Sequence, residues 1–559
     1  MHAWLHRLDA HFPVRYTAWL AAGVMALLGG FAWVAFDSGQ IVTIVGAALA
    51  ALGWRDTLQR RHAVLRNYPV IGHLRYLFEY VRPELRQYFI ESDREAAPFS
   101  RQQRSLVYQR AKTEADQRPF GTQLDMHTEG HEWINHSIMP SEIVSQDFRV
   151  TIGAGPGTSC SRPYEASVFN ISAMSFGSLS APAILALNRG AKLGGFAHDT
   201  GEGSISVHHL QHGGNLIWET GSGYFGCRDA EGRFDPERFA TQAREPQVRM
   251  VEVKLSQGAK PGHGGVLPGA KVTPEIAAAR GVPIGRDCIS PARHSAFSTP
   301  VALLRFVEHL RGLSGGKPVG FKLCVGHAWE WFAICKAMLE TDIVPDFIVV
   351  DGAEGGTGAA PLEFPDHVGA PLQEGLQLVH NTLVGLNLRE RTKIGCAGKV
   401  IGAFDIARAI ALGADWCNSA RGFMFALGCI QSQSCHTGAC PTGVATQDPL
   451  RQRALEVGDK AERVFRYHEH TLHALKALTQ SAGLDHPGAF RPTHIVRRVT
   501  HSTVRPLADL LPIVAPGALR AALDGQADWP GEVYRVYWPL ASADSFAPTR
   551  PLEAVVPSR

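Results

Sequence analysis

A repeating pattern of short apolar runs, each followed by a glycine-rich turn, constrains the fold of this chain most strongly. It extends over roughly residues 150–450 of the 559, with helical periodicity between several runs, as in Pro300–Leu313. Strands that alternate with helices predict parallel pairing, and eight repeats over about 300 residues fit a (β/α)8 barrel. The predicted strand runs are residues 168–174, 195–199, 248–255, 287–290, 319–325, 347–351, 393–397 and 415–419.

The composition divides the chain into four segments. Residues 1–55 are mostly apolar, 56–149 form a polar and partly helical linker region, 150–450 carry the barrel pattern, and 451–559 read as a helical extension. We therefore predict an α/β fold, a (β/α)8 TIM barrel with helical flanking segments. An open, doubly wound sheet is the alternative for the same pattern.

The N-terminal segment predicts a transmembrane helical hairpin. Residues 16–36 carry no formal charge and are long enough to cross a bilayer as a helix. After a polar turn, residues 41–54 form a second apolar run that is short for a full span, so whether it crosses stays open. A cleaved signal peptide and a buried hairpin are the alternatives. Arginines flank both outer ends but not the turn, which predicts an inner (cytoplasmic) membrane protein with its catalytic domain in the cytoplasm: Arg7, Arg15, Arg55, Arg60, Arg61 and Arg66.

The charge and the cysteine content narrow the class of protein. A formal net charge of +3 gives no support for nucleic acid as a partner. The ten cysteines form no paired framework of the kind found in secreted domains. Unpaired cysteines are typical of a reducing compartment, so we expect the main body of the protein to lie in the cytoplasm.

Three of the cysteines are clustered among glycines and a proline. Cys429, Cys435 and Cys440 lie within about a dozen residues, a spacing more typical of a metal or iron–sulfur centre than of a packed core. Three ligands are one short of the usual four, which favours a three-iron cluster or a fourth ligand from elsewhere. Zinc, with His436 as a ligand, and a purely structural role remain alternatives.

The ends of the predicted strands carry the chemically informative residues, where barrel enzymes place their active sites. Glu202, on a glycine turn after the second run, is a candidate for proton transfer or for binding an amine, or else a helix-start acid. Lys254, Gln257 and Lys260 lie at the end of the third run and just past it, and they suit a dicarboxylate substrate; ordinary solvated surface lysines are the alternative. Lys322, inside an apolar strand, requires a partner when buried, either a structural ion pair or a reduced flavin ring.

Small and basic residues at other strand ends predict a phosphate-bearing planar cofactor. Residues without bulky side chains allow close approach of a ring system, and barrel phosphate sites lie after strands seven and eight. With the cysteines that follow, this pattern suggests FMN beside an iron–sulfur centre. The candidates for the cofactor site are Ser172, Ala173, Met174, Ser175, Lys322, Gly355, Gly356, Gly398, Lys399, Ala420 and Arg421.

These stretches resemble the FMN-binding synthase domain of glutamate synthase, here in a stand-alone, membrane-anchored form. The resemblance covers roughly residues 155–450 in the family's order. It is carried by SAMSFGSLS, DTGEG, KLSQGAKPG, ISP, DGAEGGTGAAPL, IALGAD, ALGC and CHTGACPTGVATQDP.

The resemblance implies an oxidoreductase of glutamate biosynthesis and nitrogen metabolism that acts on CH–NH2 donors. It implies FMN and a 3Fe-4S cluster on Cys429, Cys435 and Cys440. In this family 2-oxoglutarate and ammonia form an iminoglutarate, which reduced FMN converts to L-glutamate. Lys254, Gln257 and Lys260 match the substrate-binding set and Glu202 the acidic residue, so we assign Glu202 and Lys260 as catalytic.

Departures from the family pattern leave the substrate open. Tyr224, which we predict to bind the substrate, stands where the family has an arginine for the substrate carboxylate. Arg228 nearby is an alternative source of the missing charge, and His263 replaces a glutamate. A different amino acid or 2-oxo acid is therefore an alternative substrate, and an electron-transfer subunit without its own substrate is a further alternative.

Two motifs that we do not find in the sequence indicate which partners the protein needs. We find no nicotinamide-binding glycine motif after a strand, so we expect an electron-donor protein, either a reductase subunit or a ferredoxin. No glutaminase nucleophile follows Met1, which predicts that ammonia is free or comes from a separate protein.

Overall fold

The structure, a computed structural model, describes residues 14–59, 62–94 and 97–551. The predicted flanking arginines Arg7, Arg60 and Arg61 lie outside the described residues. The chain divides into two compact units, residues 1–100 and 101–559.

The second unit is built on a closed eight-stranded parallel barrel, which confirms the predicted fold. Every strand pairs in parallel with its neighbours, and β1 pairs with β8 to close the barrel. The strands, labelled β1–β8 in chain order, are Phe169–Ile171, His198–Asp199, Leu216–Thr220, Val248–Lys254, Val319–Leu323, Phe347–Asp351, Lys393–Ala397 and Trp416–Ser419.

Seven of the eight predicted runs contain a barrel strand, and the prediction for residues 287–290 is wrong. Cys288–Ile289 instead pairs antiparallel with Val266–Leu267 outside the barrel. The missed strand is β3, where Glu219 interrupts an otherwise apolar run. Glu219 is nevertheless buried, because it points into the barrel and finds a cationic partner there.

Helices follow the strands around the barrel. Pro300–Leu313 has the predicted bounds, and the helices predicted at 329–339 and 404–412 are each found within two residues of their expected ends. The helices of the barrel are Ala181–Gly194, Val207–Leu210, Pro236–Ala243, Pro274–Arg280, Pro300–Leu313, Ala328–Thr341, Glu363–His367, Leu372–Gly385, Ala403–Ala411 and Arg421–Leu427.

Further strands and helices precede and follow the barrel in the sequence. An antiparallel pair, Arg149–Ile152 with Tyr164–Ser167, shares a buried apolar cluster with residues near the N-terminal ends of the strands. Glu132–Ile134 pairs with Ile495–Arg498, which pairs with Val504–Pro506. The flanking helices are Arg101–Lys112, Pro449–Gln452, Val457–Ser481, Leu507–Leu510, Ala518–Leu523 and Glu532–Tyr537.

The first unit contains two apolar helices, Thr17–Phe36 and Gln40–Leu58, both long and apolar enough to span a membrane. They pack closely because small residues line the contact. The indole of Trp19 donates a hydrogen bond to the Ala50 carbonyl at 2.9 Å, and a Cβ at Gly46 would lie 2.6 Å from the Ala26 nitrogen. Their outer faces are exposed and apolar; Val34, for example, is 91% exposed.

The remainder of this unit is also helical. Ala63–Asn67 is a short helix, and His73–Leu85 continues into a π-helical turn at Arg86–Ile90.

Candidate active site

Three predicted site residues meet at the C-terminal mouth of the barrel; we call Glu202, Lys254 and Lys260 the mouth cluster. Lys254 ends β4, and its Nζ lies 3.2 Å from Glu202 Oε1. Ser290 Oγ lies 3.4 Å from Glu202 Oε2, as a hydrogen-bond donor. The Lys260 ammonium, which is buried, donates to the Gly264 carbonyl at 3.1 Å. The cluster therefore combines two ammonium groups with one carboxylate.

The charges of the mouth cluster are coupled. Burial opposes ionisation of Glu202, but Lys254, Arg280 and Lys260 outweigh it and lower the pKa of Glu202 below its usual value. Burial lowers the pKa of Lys260, Glu202 raises it, and Lys254 lowers it again. Two lysines sharing one carboxylate leave a positive excess, which suits an anionic ligand.

Tyr224 is buried, and neighbouring residues hold its hydroxyl. It accepts a hydrogen bond from the Ala296 amide at 3.1 Å and lies 3.0 Å from His294 Nδ1. His294 Nε2 lies 2.8 Å from the Lys254 carbonyl, which only accepts, so Nε2 carries the proton and Nδ1 accepts from the tyrosine. Burial lowers the pKa of His294 to about 4, consistent with this neutral form.

A second set of charges fills the barrel interior. We call Asp199, Glu219, Glu252 and Lys322 the interior cluster; all four are buried. Lys322 Nζ contacts Glu219 directly and lies 3.4 Å from Glu252 Oε1. One oxygen from each of the three carboxylates lies within 4.8 Å of the others. The Lys322 ammonium is thus the cation that these acids surround.

The interior cluster has more acids than cations, so it retains protons. Burial and the charge of Glu219 raise the pKa of Asp199 to about 7. Burial likewise raises the pKa of Glu252 well above its usual value, against the attraction of Lys322. For Lys322 burial opposes the charge, but Glu219, Glu252 and Asp199 outweigh it and raise its pKa. Lys322 is therefore cationic at neutral pH.

Two predicted phosphate residues meet beyond β7 and β8. Burial and then the charge of Arg421 lower the pKa of Lys399, which places the two cations close together. Arg421 Nη2 donates to the Glu354 carbonyl at 2.9 Å, and a Cβ at Gly356 would lie 2.4 Å from its Nη1. Glycine at 356 is therefore needed for the guanidinium to lie over this turn.

The other predicted cofactor residues lie at the same end of the barrel. Ser172 follows β1, and its amide donates to the Ser419 carbonyl at the end of β8. Gly201 has a φ of +65°, and a Cβ there would lie 2.7 Å from the Ser175 nitrogen, so this turn also requires glycine. Four more predicted residues follow β1, β7 and β8: Ala173, Met174, Gly398 and Ala420.

The loop after β4, which carries Gln257 and Lys260, touches the glycine loop after β6. The Gly258 amide donates to Asp351 Oδ2 at 2.8 Å, and a Cβ at Gly258 would lie 1.8 Å from the Gly352 carbonyl oxygen. A Cβ at Gly355 would lie 3.2 Å from the Ala259 nitrogen. Gln257, which is half-buried, belongs to this loop. The predicted substrate and cofactor residues therefore adjoin.

The three clustered cysteines lie close to the same loops. A Cβ at Gly358 would lie 3.5 Å from Cys435 Cβ, and Lys271 Nζ donates to the Cys435 carbonyl at 2.8 Å. Burial, and then the charges of Cys435 and Cys440, raise the pKa of Cys429 to about 12, although the Gln431 amide opposes this rise. The cysteine segment thus borders the glycine loop after β6.

Neighbouring groups stabilise the ionised form of one of the three cysteines. Amide groups of residues 442, 444 and 445 and the Thr442 hydroxyl lower the pKa of Cys440 despite its burial, which favours a thiolate. Among the described residues, the three cysteine sulfurs do not all lie within 4.8 Å of one another.

Sequence reasoning missed four residues that the structure places in or beside the site. Glu219 and Glu252 were hidden inside strands, although Lys322 in an apolar strand already required a buried acid. His294 carries no local signal, since its role depends on Tyr224. Arg280, from the helix Pro274–Arg280, is buried, affects the charge of Glu202 and donates to the Phe176 carbonyl at 2.9 Å.

Comparison with known proteins places the chain in a family. The sequence profile of the conserved region in glutamate synthase matches residues 154–485. The glutamate synthase large subunit-like protein YerD of Bacillus subtilis (strain 168) is 37% identical over 512 residues, 84% of this chain and 97% of that protein. An archaeal glutamate synthase (NADPH) of Methanocaldococcus jannaschii is 36% identical over 316 residues, but this chain spans only 59% of its length.

Solved structures are more distant. A mutant flavocytochrome b2 with pyruvate bound aligns with a TM-score of 0.40 at 13% identity, over 75% of this chain and 85% of that chain. That likeness is too weak to carry an argument. Because the matched profile spans more than half of the sequence and includes all eight barrel strands, this chain belongs to the glutamate synthase family.

Proposed function

We propose that the protein is an FMN-dependent oxidoreductase that reductively aminates a 2-oxo acid, 2-oxoglutarate in the first instance, with ammonia to give the amino acid. The observation that carries this proposal is the mouth cluster. Two ammonium groups share one carboxylate at the C-terminal end of the barrel, beside the glycine loop after β6. This arrangement suits a carboxylate substrate held next to a cofactor.

The residues present fit FMN. Lys399 and Arg421 supply paired positive charge for its phosphate, and Gly355 and Gly356 leave the space that a side chain would fill. Ser172–Ser175 would border the ring. Lys322, kept cationic by the interior cluster, would offset negative charge on the reduced ring. When bound, FMN supplies the hydride that reduces an imine.

The chain's own residues divide the remaining work. Lys260 and Lys254, with Gln257, would bind the substrate carboxylate and orient the 2-oxo group. Glu202 is held ionised by its lysine neighbours, so it would accept hydrogen bonds from the incoming ammonia and from the N–H of the imine. The positive excess at the mouth would raise the local concentration of the anionic substrate.

We assign the cysteine segment to a 3Fe-4S cluster held by Cys429, Cys435 and Cys440. The amides that favour the thiolate of Cys440 support a ligand role for this cysteine, and membership of the glutamate synthase family favours the 3Fe-4S type over zinc. A cluster there would pass electrons from a donor protein, a reductase subunit or a ferredoxin, toward the flavin site. Ammonia would be free or supplied by a separate protein.

We propose that the apolar hairpin anchors the protein in the cytoplasmic membrane. Only 11% and 17% of the apolar windows of the two helices are buried, unlike the core helices of a soluble domain. A signal sequence would account for one apolar helix near the N-terminus, but not for two that pack on each other. The barrel would then face the cytoplasm.

A second candidate substrate is a different 2-oxo or amino acid. The Tyr224 hydroxyl is engaged by His294 and the Ala296 amide, so substrate binding there would require it to exchange partners. A tyrosine supplies neither charge nor a bidentate fork for a distal carboxylate. This observation favours a substrate with less negative charge than 2-oxoglutarate.

The decisive experiment is anaerobic. The purified full chain is reduced with dithionite, 2-oxoglutarate and ammonium are added, and flavin absorbance and glutamate are followed. Reoxidation with glutamate formed is the expected result. A flavin that stays reduced with 2-oxoglutarate but reoxidises with another 2-oxo acid would establish the second candidate. A flavin that stays reduced with every 2-oxo acid tested would contradict the proposed function.

The cluster assignment has a separate test. Cys435→Ser should lose bound iron, measured by metal analysis of the purified protein. Cys160→Ser is the matched control, since Cys160 is a half-buried cysteine remote in sequence from the cluster. Equal iron in both variants would rule out Cys435 as a ligand.

A further inference from the structure

The segment that follows the apolar hairpin forms one amphipathic helix, which we call the surface helix: His73–Leu85 and the π-helical turn Arg86–Ile90. Large apolar side chains lie on it at helical spacing and are exposed. Phe78 is 61% exposed, Phe89 82% and Ile90 75%. An apolar face of this size on a soluble surface is uncommon and marks a binding surface.

A row of charges runs beside the apolar face. Arg75, Glu79, Arg82 and Arg86 follow one another at spacings of three or four residues, so they lie on one side of the helix. Arg75 pairs with Glu79 at 3.0 Å and Arg86 with Glu91 at 3.4 Å, while Arg82 has no carboxylate partner in the described part of the chain. Arginines, apolar side chains and one acid line the same open groove of about 780 Å³: Arg75, Phe78, Glu79, Arg82, Leu85, Arg86 and Ile90.

Hydrogen bonds tie the start of the surface helix to the end of the hairpin. Asp56, two residues before the end of the second apolar helix, is buried, and His73 Nε2 lies 2.9 Å from its Oδ2. The Val70 amide donates to the same oxygen at 3.1 Å, and the rings of His62 and Tyr76 meet at 5.7 Å. The surface helix therefore begins where the hairpin ends.

We propose that the surface helix lies in the headgroup layer of the membrane, with its apolar face among the acyl chains and its arginine row on the phosphates of anionic lipids. This proposal rests on the membrane anchoring proposed above. A helix that starts at the end of a membrane span is already at the interface. Apolar side chains with arginines beside them are what such a helix needs to bind anionic lipid.

The test places the photoreactive amino acid benzoylphenylalanine in the full chain, reconstituted in vesicles of phosphatidylglycerol and phosphatidylcholine. The position of Phe89 probes the apolar face, Glu84 is an exposed control on another side of the helix, and Leu27 probes the hairpin. Irradiation should cross-link lipid at positions 89 and 27 but not at 84. Cross-linking is measured by mass spectrometry of the purified protein.

The outcomes separate the two proposals. Lipid at position 27 but none at 89, or equal lipid at 89 and 84, overturns the surface-helix proposal and leaves the anchor intact. A protein adduct in place of lipid at 89 also overturns it. No lipid at 27 shows that the hairpin is not in the bilayer, so the anchoring proposal fails.

The arginine row is tested with the probe at position 89. Arg82→Gln should reduce cross-linking in phosphatidylglycerol vesicles by roughly fivefold, because one basic residue near an anionic surface contributes about 1 kcal/mol. It should have no effect in phosphatidylcholine alone. Arg305→Gln, at an exposed arginine on the barrel helix Pro300–Leu313, is the matched control. Equal cross-linking for both variants would overturn the role of the arginines.

Discussion

The interior cluster and the mouth cluster use the same residue types in opposite ratios. Inside the barrel three carboxylates surround Lys322, whereas at the mouth two lysines share Glu202. The interior charges are buried and contain one cation for three acids, so protonation of the acids settles their balance. The mouth retains positive charge at the end of the barrel where substrates enter. An excess of acid is balanced by protonation within the cluster, whereas an excess of cation suits the binding of an anion.

Removal of the interior cation should have the largest effect. Lys322→Met would leave Glu219 beside Glu252 without a counter-charge, and breaking a buried pair costs about 3–5 kcal/mol. We expect a drop of that size in the free energy of unfolding, measured by denaturant titration. The double variant Lys322→Met with Glu219→Gln should recover part of the loss. No recovery would mean that the pair is not the source of the effect.

Removal of a mouth cation should affect substrate rather than stability. Lys260→Ala deletes one charge-assisted contact, worth about 1.5–3 kcal/mol, or roughly 10–100-fold in substrate-driven flavin reoxidation. FMN content and the unfolding midpoint should stay close to wild type. Lys192→Ala, at an exposed lysine, is the control. Loss of FMN in the Lys260 variant would show that this lysine supports cofactor binding rather than substrate binding.

The interior cluster should also show an unusual pH dependence. The pKa of Asp199 is raised to about 7 in the folded protein, so the folded state binds more protons than the unfolded chain between about pH 4 and 7. The contribution of Asp199 to stability therefore falls as pH rises through this window. Asp199→Asn should reduce this decline and be more stable than wild type at pH 8, because the amide carries no charge to bury. Parallel wild-type and variant curves of unfolding free energy against pH would contradict this expectation.

The smallest expected effect decides whether Tyr224 contacts the substrate or only positions its loop. Tyr224→Phe leaves His294 Nδ1 and the Ala296 amide without their partner, at a cost of about 1 kcal/mol. If Tyr224 only positions the loop, unfolding stability should fall by this amount while KM for the 2-oxo acid changes little. A large rise in KM with unchanged stability would instead make Tyr224 a substrate contact.

Much of the barrel was predictable because its signals are local. The helix Pro300–Leu313 follows from its periodicity, and β6 and β7 coincide with the apolar runs predicted at 347–351 and 393–397. The sequence does not predict β3, because Glu219 interrupts its apolar run. It misassigns residues 287–290 to the barrel, because a short apolar pair resembles a strand of any sheet. Which sheet a two-residue strand joins is a long-range property.

The sequence by itself determined most of the strands and helices, the glycine turns, the basic loops and the apolar hairpin, because each depends on neighbours within a few residues. Only the tertiary structure decided that Lys322 from β5 meets Glu219 from β3, that Glu202 is shared by two lysines, and that Tyr224 binds His294. Those contacts join residues dozens of positions apart. Closure of the barrel brings them together, and their ionisation follows from burial and from neighbours that no local pattern specifies.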